Sequence, residues 1–358
     1  MKSSEITRKR LIKHCQDYPS LEIQDVFKYL YQSSFGCEHL VSSLPFAIDY
    51  IISESQACVK NHDKLIDALD GEYSRVHLSY LNQGLSAETL GKLFVTSAKK
   101  EDNGRSELEN KLEIAKALIR ESQIPFSPLE FEKGVNDWKT IGYPAIHHSD
   151  VFRTEYSPAY RVISNKYVPF LPLLAKIDTL IKEKNVVIAI DGGSASGKTT
   201  LGEMLKTLYG CTVFHMDDFF LRPEQRTKQR YEEVGGNVDR ERFLEEVLIP
   251  LSKSETVNYR KFDCSTMTVD EGMNIVPERL TVIEGAYSMH RELSDYYDLS
   301  VFLDVDPKLQ KKRIAKRNSP ELAERFFNDW IPLEKIYFSQ MQVAGRCDIC
   351  ISVTDEII

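Results

Sequence analysis

Apolar residues recur along this chain with two different periods, and the change between them falls near its middle. Up to about residue 160 the spacing is close to 3.6, clearest in Leu21–Tyr31, Leu85–Ala98 and Leu108–Ile119. That period predicts amphipathic helices with one buried face. Pro125, Pro128, Pro144 and Pro158 punctuate the later part of this half. An aromatic- and proline-rich stretch, Tyr156–Pro172, then leads into a predicted helix over Leu173–Lys184. From Asn185 short β-branched runs take over, at 186–190, 211–216, 280–283, 299–305 and 348–353. Amphipathic stretches around 198–208, 239–251, 307–317 and 321–343 separate them. Uniformly apolar strands alternating with helices imply a parallel sheet covered on both faces. The expectation is a mainly α-helical accessory domain over 1–175, followed by an α/β domain over 176–358 with a five-stranded parallel sheet. No repeat or low-complexity tract interrupts either half.

Composition narrows the partners. The 358 residues are 42% hydrophobic and 28% charged, ordinary for a soluble protein with a real core. A net charge of −8 argues against a nucleic-acid partner, which would call for clustered excess Lys and Arg. Met1–Arg10 is polar, without the apolar stretch of a signal peptide. The apolar runs are strand-sized, so no membrane partner is expected. The seven cysteines, at 15, 37, 58, 211, 264, 347 and 350, show no disulfide spacing. Cys347 and Cys350 form a lone CxxC in a predicted buried strand and read as incidental thiols. A reduced, cytoplasmic protein is expected.

The strongest chemical signal is Gly192-Gly193-Ser194-Ala195-Ser196-Gly197-Lys198-Thr199, followed by Thr200, which matches GxxxxGK[ST] between a predicted strand and a predicted helix. Glycines let the backbone curl until its N–H groups converge on phosphate oxygens, and the helix N-terminus adds its dipole. The fold class thus sharpens to a P-loop NTPase domain. ATP and Mg²⁺ are the expected cofactors, with Lys198 reaching the β- and γ-phosphates and Thr199 offering its hydroxyl to the metal.

Other groups fall where such a loop would use them. Asp217 and Asp218 follow the strand 211–216, and the C-terminal strand ends of an open α/β sheet face the ligand crevice. Asp217 is the candidate base for an acceptor hydroxyl, whereas Asp218 reads as structural or as an outer ligand of Mg²⁺. Glu284 ends the strand 280–283 and is the second candidate Mg²⁺ ligand. Arg313 and Arg317 share one helix face, so they form either a clamp on the moving phosphoryl group or a solvated basic face with Lys311, Lys312 and Lys316. No NKxD guanine specifier and no LSGGQ signature follows the loop, which disfavours GTPases and ABC-type ATPases. The remaining fit is a small-molecule kinase.

Residues 185–358 resemble the uridine kinase and phosphoribulokinase family, through IAIDGGSASGKTT, MDDFF, GGNVDRERF, NYRKFDCST and VIEGAY. The resemblance implies that Asp217 is the general base and that Arg313 and Arg317 are lid arginines. It also implies an acceptor site of Asp239, Tyr259, Phe220 and Cys264. Asp218, Phe220 and Cys264 replace the Ser, Tyr and base-reading His of the family pattern, so phosphoryl transfer is supported more firmly than uridine. The expected function is ATP-dependent phosphorylation of a nucleoside or ribose-like acceptor. A sugar, sugar phosphate or pantothenate-like alcohol, or a nucleotide-sensing regulatory role, stays open. So does self-association into a homo-oligomer. The N-terminal half resembles no family; Cys37-Glu38-His39 and His147-His148-Ser149-Asp150 with Arg153, Glu155, Tyr156 and Arg161 are its candidate clusters, for a metal or an anion.

Overall fold

The computed structural model describes residues 2–37, 43–57, 64–98 and 104–354. Its contacts divide the chain into two compact units, Met1–Lys176 and Ile177–Ile358.

In the first unit the helical periodicities correspond to α2 (Ile23–Phe35), α4 (Ala87–Ser97) and α5 (Gly104–Arg120), alongside α1 (Lys2–Asp17), α3 (Leu44–Ala57), α6 (Pro128–Thr140) and α7 (Asp150–Tyr156). Local signals start several of them: Ser86, Ser127 and Ser149 each accept a backbone N–H at the head of α4, α6 and α7. Leu11, Leu30, Leu108, Phe131 and Phe152 form the dry centre. The unit also holds a three-stranded antiparallel sheet that no period announces: β1 (Ile66–Ala68), β2 (Tyr73–His77) and β3 (Tyr160–Ser164), in that spatial order. β1 is too short to show an alternation. β3 lies within the proline-rich stretch and pairs with residues some 85 positions earlier in the chain.

In the second unit β4 (Val186–Gly192) is the central strand. Further strands are β5 (Thr212–His215), β6 (Val257–Tyr259), β7 (Phe262–Asp263), β8 (Thr268–Val269), β9 (Met273–Ile275), β10 (Leu280–Glu284), β11 (Leu299–Val305) and β12 (Ile349–Val353). The main sheet runs β12-β11-β4-β10-β5 with every pairing parallel, while β6 pairs β9 and β7 pairs β8 as small antiparallel ribbons. The expected five-stranded parallel sheet is therefore present.

The helices expected around 239–251 and 321–343 are present as the continuous helical runs 240–252 and 320–340, though neither keeps regular α geometry throughout. Each carries a π-turn, Leu244–Leu248 and Phe326–Trp330, just before a proline, Pro250 and Pro332. A proline lacks an N–H and its ring crowds the carbonyl four residues back, so the preceding turn widens. The expectation of a buried final strand is corrected. β12 is an edge strand with alternating exposure; Cys350 is exposed and Cys347 half-buried, both as free thiols. Among the described residues no helix is long and apolar enough to cross a membrane.

Candidate active site

β4 runs into the glycine-rich loop, and α8 (Lys198–Tyr209) leaves it. Gly192 at φ +150 and Gly197 at φ +100 take conformations that L residues avoid. A Cβ on Gly192 would also stand 2.6 Å from the Leu303 carbonyl oxygen on β11. The loop is anchored by Asp191, which is fully buried and accepts from the N–H of Gly192 (2.7 Å), the N–H of Met289 (2.9 Å) and the Tyr337 hydroxyl (2.7 Å). Burial pushes its pKa up to about 6, against those hydrogen bonds and Lys198.

A cavity of about 540 Å³ opens over the loop. Of the expected residues, Ser194, Ala195, Gly197, Lys198, Thr199, Thr200, Asp217, Phe220, Glu284, Arg313 and Arg317 line it. Gly192, Gly193 and Ser196 do not; they build the turn. Lys198 Nζ bends back to the carbonyls of Gly192 (2.9 Å) and Gly193 (3.1 Å). Asp217 lies in a short 3₁₀ turn after β5 rather than on the strand itself. Burial raises its pKa, Lys198 opposes that, and the Glu284 carboxylate adds to it. Glu284 Oε1 accepts from the Thr199 hydroxyl (3.1 Å) and meets His215 Nδ1 at 2.5 Å, which raises the His215 pKa. Arg313 donates to the Ala195 carbonyl (3.3 Å), and the Arg317 guanidinium lies 6.0 Å from the Phe326 ring. Both arginines line the cavity, Arg313 reaching the loop itself and Arg317 remaining exposed beside Phe326.

Three expected acceptor residues are not brought to the cavity wall. Asp239 is fully buried: its Oδ1 accepts the Arg242 N–H at 3.2 Å to cap a helical turn, and its Oδ2 accepts from Arg222 Nε at 3.1 Å. Tyr259 is buried too, its hydroxyl taken up by the Asp218 carboxylate (2.6 Å) and the His215 N–H (3.0 Å). Asp218 accepts that hydroxyl and also pairs with Lys261 at 3.0 Å. Cys264 sits exposed in the turn between β7 and β8. In their place Asn237, Val238, Tyr287 and Trp330 line the cavity.

Glu334 is the participant that motif reading missed. It is buried at 4% exposure and lines the cavity from the helix Ile331–Gln340. Both of its oxygens accept the Ser194 N–H, at 3.1 and 3.0 Å, and Oε1 also accepts the Ser194 hydroxyl at 2.6 Å. A carboxylate so placed uses a donor of the phosphate loop. Burial raises its pKa, partly offset by Lys198. An isolated glutamate 140 positions beyond the loop carries no sequence signal.

A phosphate-binding loop at the central strand of a parallel sheet, with carboxylates and arginines converging above it, defines a P-loop kinase, a nucleotide-binding phosphotransferase. Residues 187–321 match the family model described as Phosphoribulokinase / Uridine kinase family. The resemblance read from the motifs is therefore borne out over that span. A uridine kinase of Macrococcus caseolyticus (strain JCSC5402) is 29% identical over 152 residues, covering 40% of this chain and 71% of that protein. One from Staphylococcus haemolyticus (strain JCSC1435) is 28% identical over 145 residues, covering 38% and 69%. Among solved structures, one described as a "Possible Uridine Kinase" from Bacillus stearothermophilus is 24% identical, covering 50% of this chain and 98% of that one at a TM-score of 0.38.

Proposed function

We propose that the second unit transfers the γ-phosphoryl group of ATP to a hydroxyl of a small acceptor, a nucleoside or another ribose-like alcohol. The observation that carries this reading is the convergence of Lys198, Asp217, Arg313 and Arg317 on one cavity. Asp217 takes the proton of the acceptor hydroxyl as its oxygen bonds to the γ-phosphorus. The bond from that phosphorus to the β–γ bridging oxygen breaks, and its electron pair leaves with ADP. A base whose pKa is raised by burial is better suited to that proton than an ordinary aspartate. Lys198, released from its own loop carbonyls, and the two guanidinium groups balance charge on the moving phosphoryl.

The oxygen donors Thr199 and Glu284, hydrogen-bonded to each other and lining the cavity with Asp217, fit a hard divalent cation such as Mg²⁺. Such an ion is usually held by one or two carboxylates plus substrate phosphates rather than by an all-protein cage. Bound there, Mg²⁺ would neutralise charge shared by the β- and γ-phosphates.

The names of the relatives support uridine as acceptor. The exposed position of Cys264 favours a second reading, the same chemistry on a sugar, sugar phosphate or pantothenate-like alcohol. An acceptor diol could claim Asp239 only by displacing Arg222. ADP release measured over a panel of these alcohols decides: turnover with uridine or cytidine supports the first reading, turnover only with another alcohol supports the second. Absence of turnover with every acceptor, in a protein that binds ATP, would count against both.

A further inference from the structure

We propose that the first unit holds a ligand site of its own, in which Arg75 receives the carboxylate group of a small molecule. The site lies on one face of the antiparallel sheet. The register places Asp67 opposite Arg75, and His77 opposite Tyr160, all on that face. A cavity of about 40 Å³ opens there, lined by Asp67, Arg75 and Tyr160 and by the aromatic rings of Tyr18, Phe152 and Tyr156.

Arg75 is buried with its hydrogen-bonding capacity only partly used. It is 3% exposed. Its Nε donates to Gln32 Oε1 at 2.9 Å, and its guanidinium lies over the Tyr160 ring at 4.8 Å. The facing carboxylate, Asp67 Oδ2, is 3.6 Å from NH1, too long for a hydrogen bond. Asp67 Oδ1 is itself taken by Lys64 at 2.7 Å. Among the described residues Arg75 NH2 and Asp67 Oδ2 have no hydrogen-bond partner. Leaving a buried charged donor unsatisfied is destabilising, so a guanidinium kept only for packing would be a poor choice of residue.

The surroundings favour an anion. Lys28 donates to the neutral carbonyl of Ile146 (2.9 Å), and burial with the nearby Arg75 and Arg153 charges brings its pKa down to about 8. Burial and the Arg75 charge likewise hold His14 and His148 low, the latter at about 3. His148 is therefore neutral and bridges Asp25 Oδ1 (2.8 Å) to the Tyr160 hydroxyl (2.6 Å), which fixes the ring under the guanidinium. The nearest carboxylate, Asp67, pairs with Arg75 only at 3.6 Å and shares its charge with Lys64 at 2.7 Å, so the Arg75 charge is balanced only in part.

Size then selects the ligand. A water needs roughly 10–15 Å³ of such space, so the cavity holds a group of about three heavy atoms. A carboxylate matches that and the guanidinium fork, the aromatic rings would flank a short apolar body, and a nucleotide is far too large.

The test uses the full chain carrying Lys198→Ala, to weaken anion binding at the phosphate loop, with sodium acetate, acetamide and inorganic phosphate as probes. Histidine-selective NMR follows His148. Acetate is expected to shift its signal saturably, with a dissociation constant on the order of millimolar. Acetamide, the neutral isostere, should not, and Arg75→Gln should weaken acetate at least about tenfold, the loss of one charge-assisted contact. Equal responses to acetate and acetamide, no response to acetate, or undiminished acetate affinity in folded Arg75→Gln would overturn the site. Tighter binding of phosphate than of acetate would overturn the carboxylate assignment. Should Arg75→Gln fail to fold, acetate against acetamide on the protein with Arg75 intact decides alone.

Discussion

Replacing Glu334 by glutamine should tighten ATP binding. Its carboxylate holds the Ser194 N–H and hydroxyl through three contacts of 2.6–3.1 Å, so a phosphate oxygen claiming the same N–H must first displace it. Displaced but still lining the cavity, the carboxylate would face the phosphate at about 6 Å, where two like charges repel by ~3 kcal/mol at an effective dielectric near 20. Lys198 faces both Glu334 and the phosphate position and screens part of this. Taking about half the repulsion, ~1.4 kcal/mol, predicts an ATP dissociation constant about tenfold lower in Glu334→Gln. The glutamine amide oxygen can still accept the Ser194 N–H, so the loop should keep its shape. ADP, lacking the γ-phosphate, should gain much less. Calorimetric titration of ATP and ADP into both proteins measures the effect. A pH series adds a check on sign: the raised pKa of Glu334 means that protonation discharges it as pH falls through the upper carboxylate range. The advantage of the variant should therefore shrink toward acid pH. Unchanged or weaker ATP binding in a folded Glu334→Gln protein would refute the reasoning.

Asp217→Asn should lower turnover by about 10²–10⁴, the usual loss for an acid–base group, while ATP titration shows binding nearly intact; undiminished turnover would remove Asp217 as the base. Asp239→Ala should destabilise the second unit by ~1–3 kcal/mol, because the Arg242 N–H loses its cap and Arg222 and Arg242 lose a buried carboxylate, while Arg242 keeps its pair with Glu246; denaturant unfolding measures this. A change confined to acceptor KM would instead assign Asp239 to the acceptor. Asp191 has its pKa raised from 3.8 to about 6 in the fold, so its protonated form favours folding below about pH 4 and that contribution is lost as pH rises through 6. Wild-type stability should fall by up to ~2.7 kcal/mol across that window, two pH units at 1.36 kcal/mol each, and Asp191→Asn should flatten the slope.

Motif spacing carried the phosphate loop far because everything it requires is local. The curl at Gly192 and Gly197 depends on the residues themselves, and the strand before and helix after are encoded in adjacent apolar periods. Asp217 and Glu284 were legible for a related reason: Glu284 ends a parallel strand and Asp217 follows one by two residues, and parallel strands all deliver their C-terminal ends to the same edge. Arg313 and Arg317 needed only helical spacing to share a face. The acceptor residues were harder. Asp239 and Tyr259 were placed by likeness of motif, yet their side chains turn to Arg222, Arg242 and Asp218, partners no spacing rule names.

What the sequence determined by itself was the order of elements, the loop and the strand ends that face it. Only the tertiary structure set Glu334 on Ser194 and joined Tyr337 to Asp191 across 146 positions. Only it assembled the sheet of β1, β2 and β3 that carries Arg75. The physical reason is that backbone conformation answers to near neighbours and their periodicity, whereas the partner of a buried polar side chain is chosen by which distant segments pack together and must satisfy one another out of water.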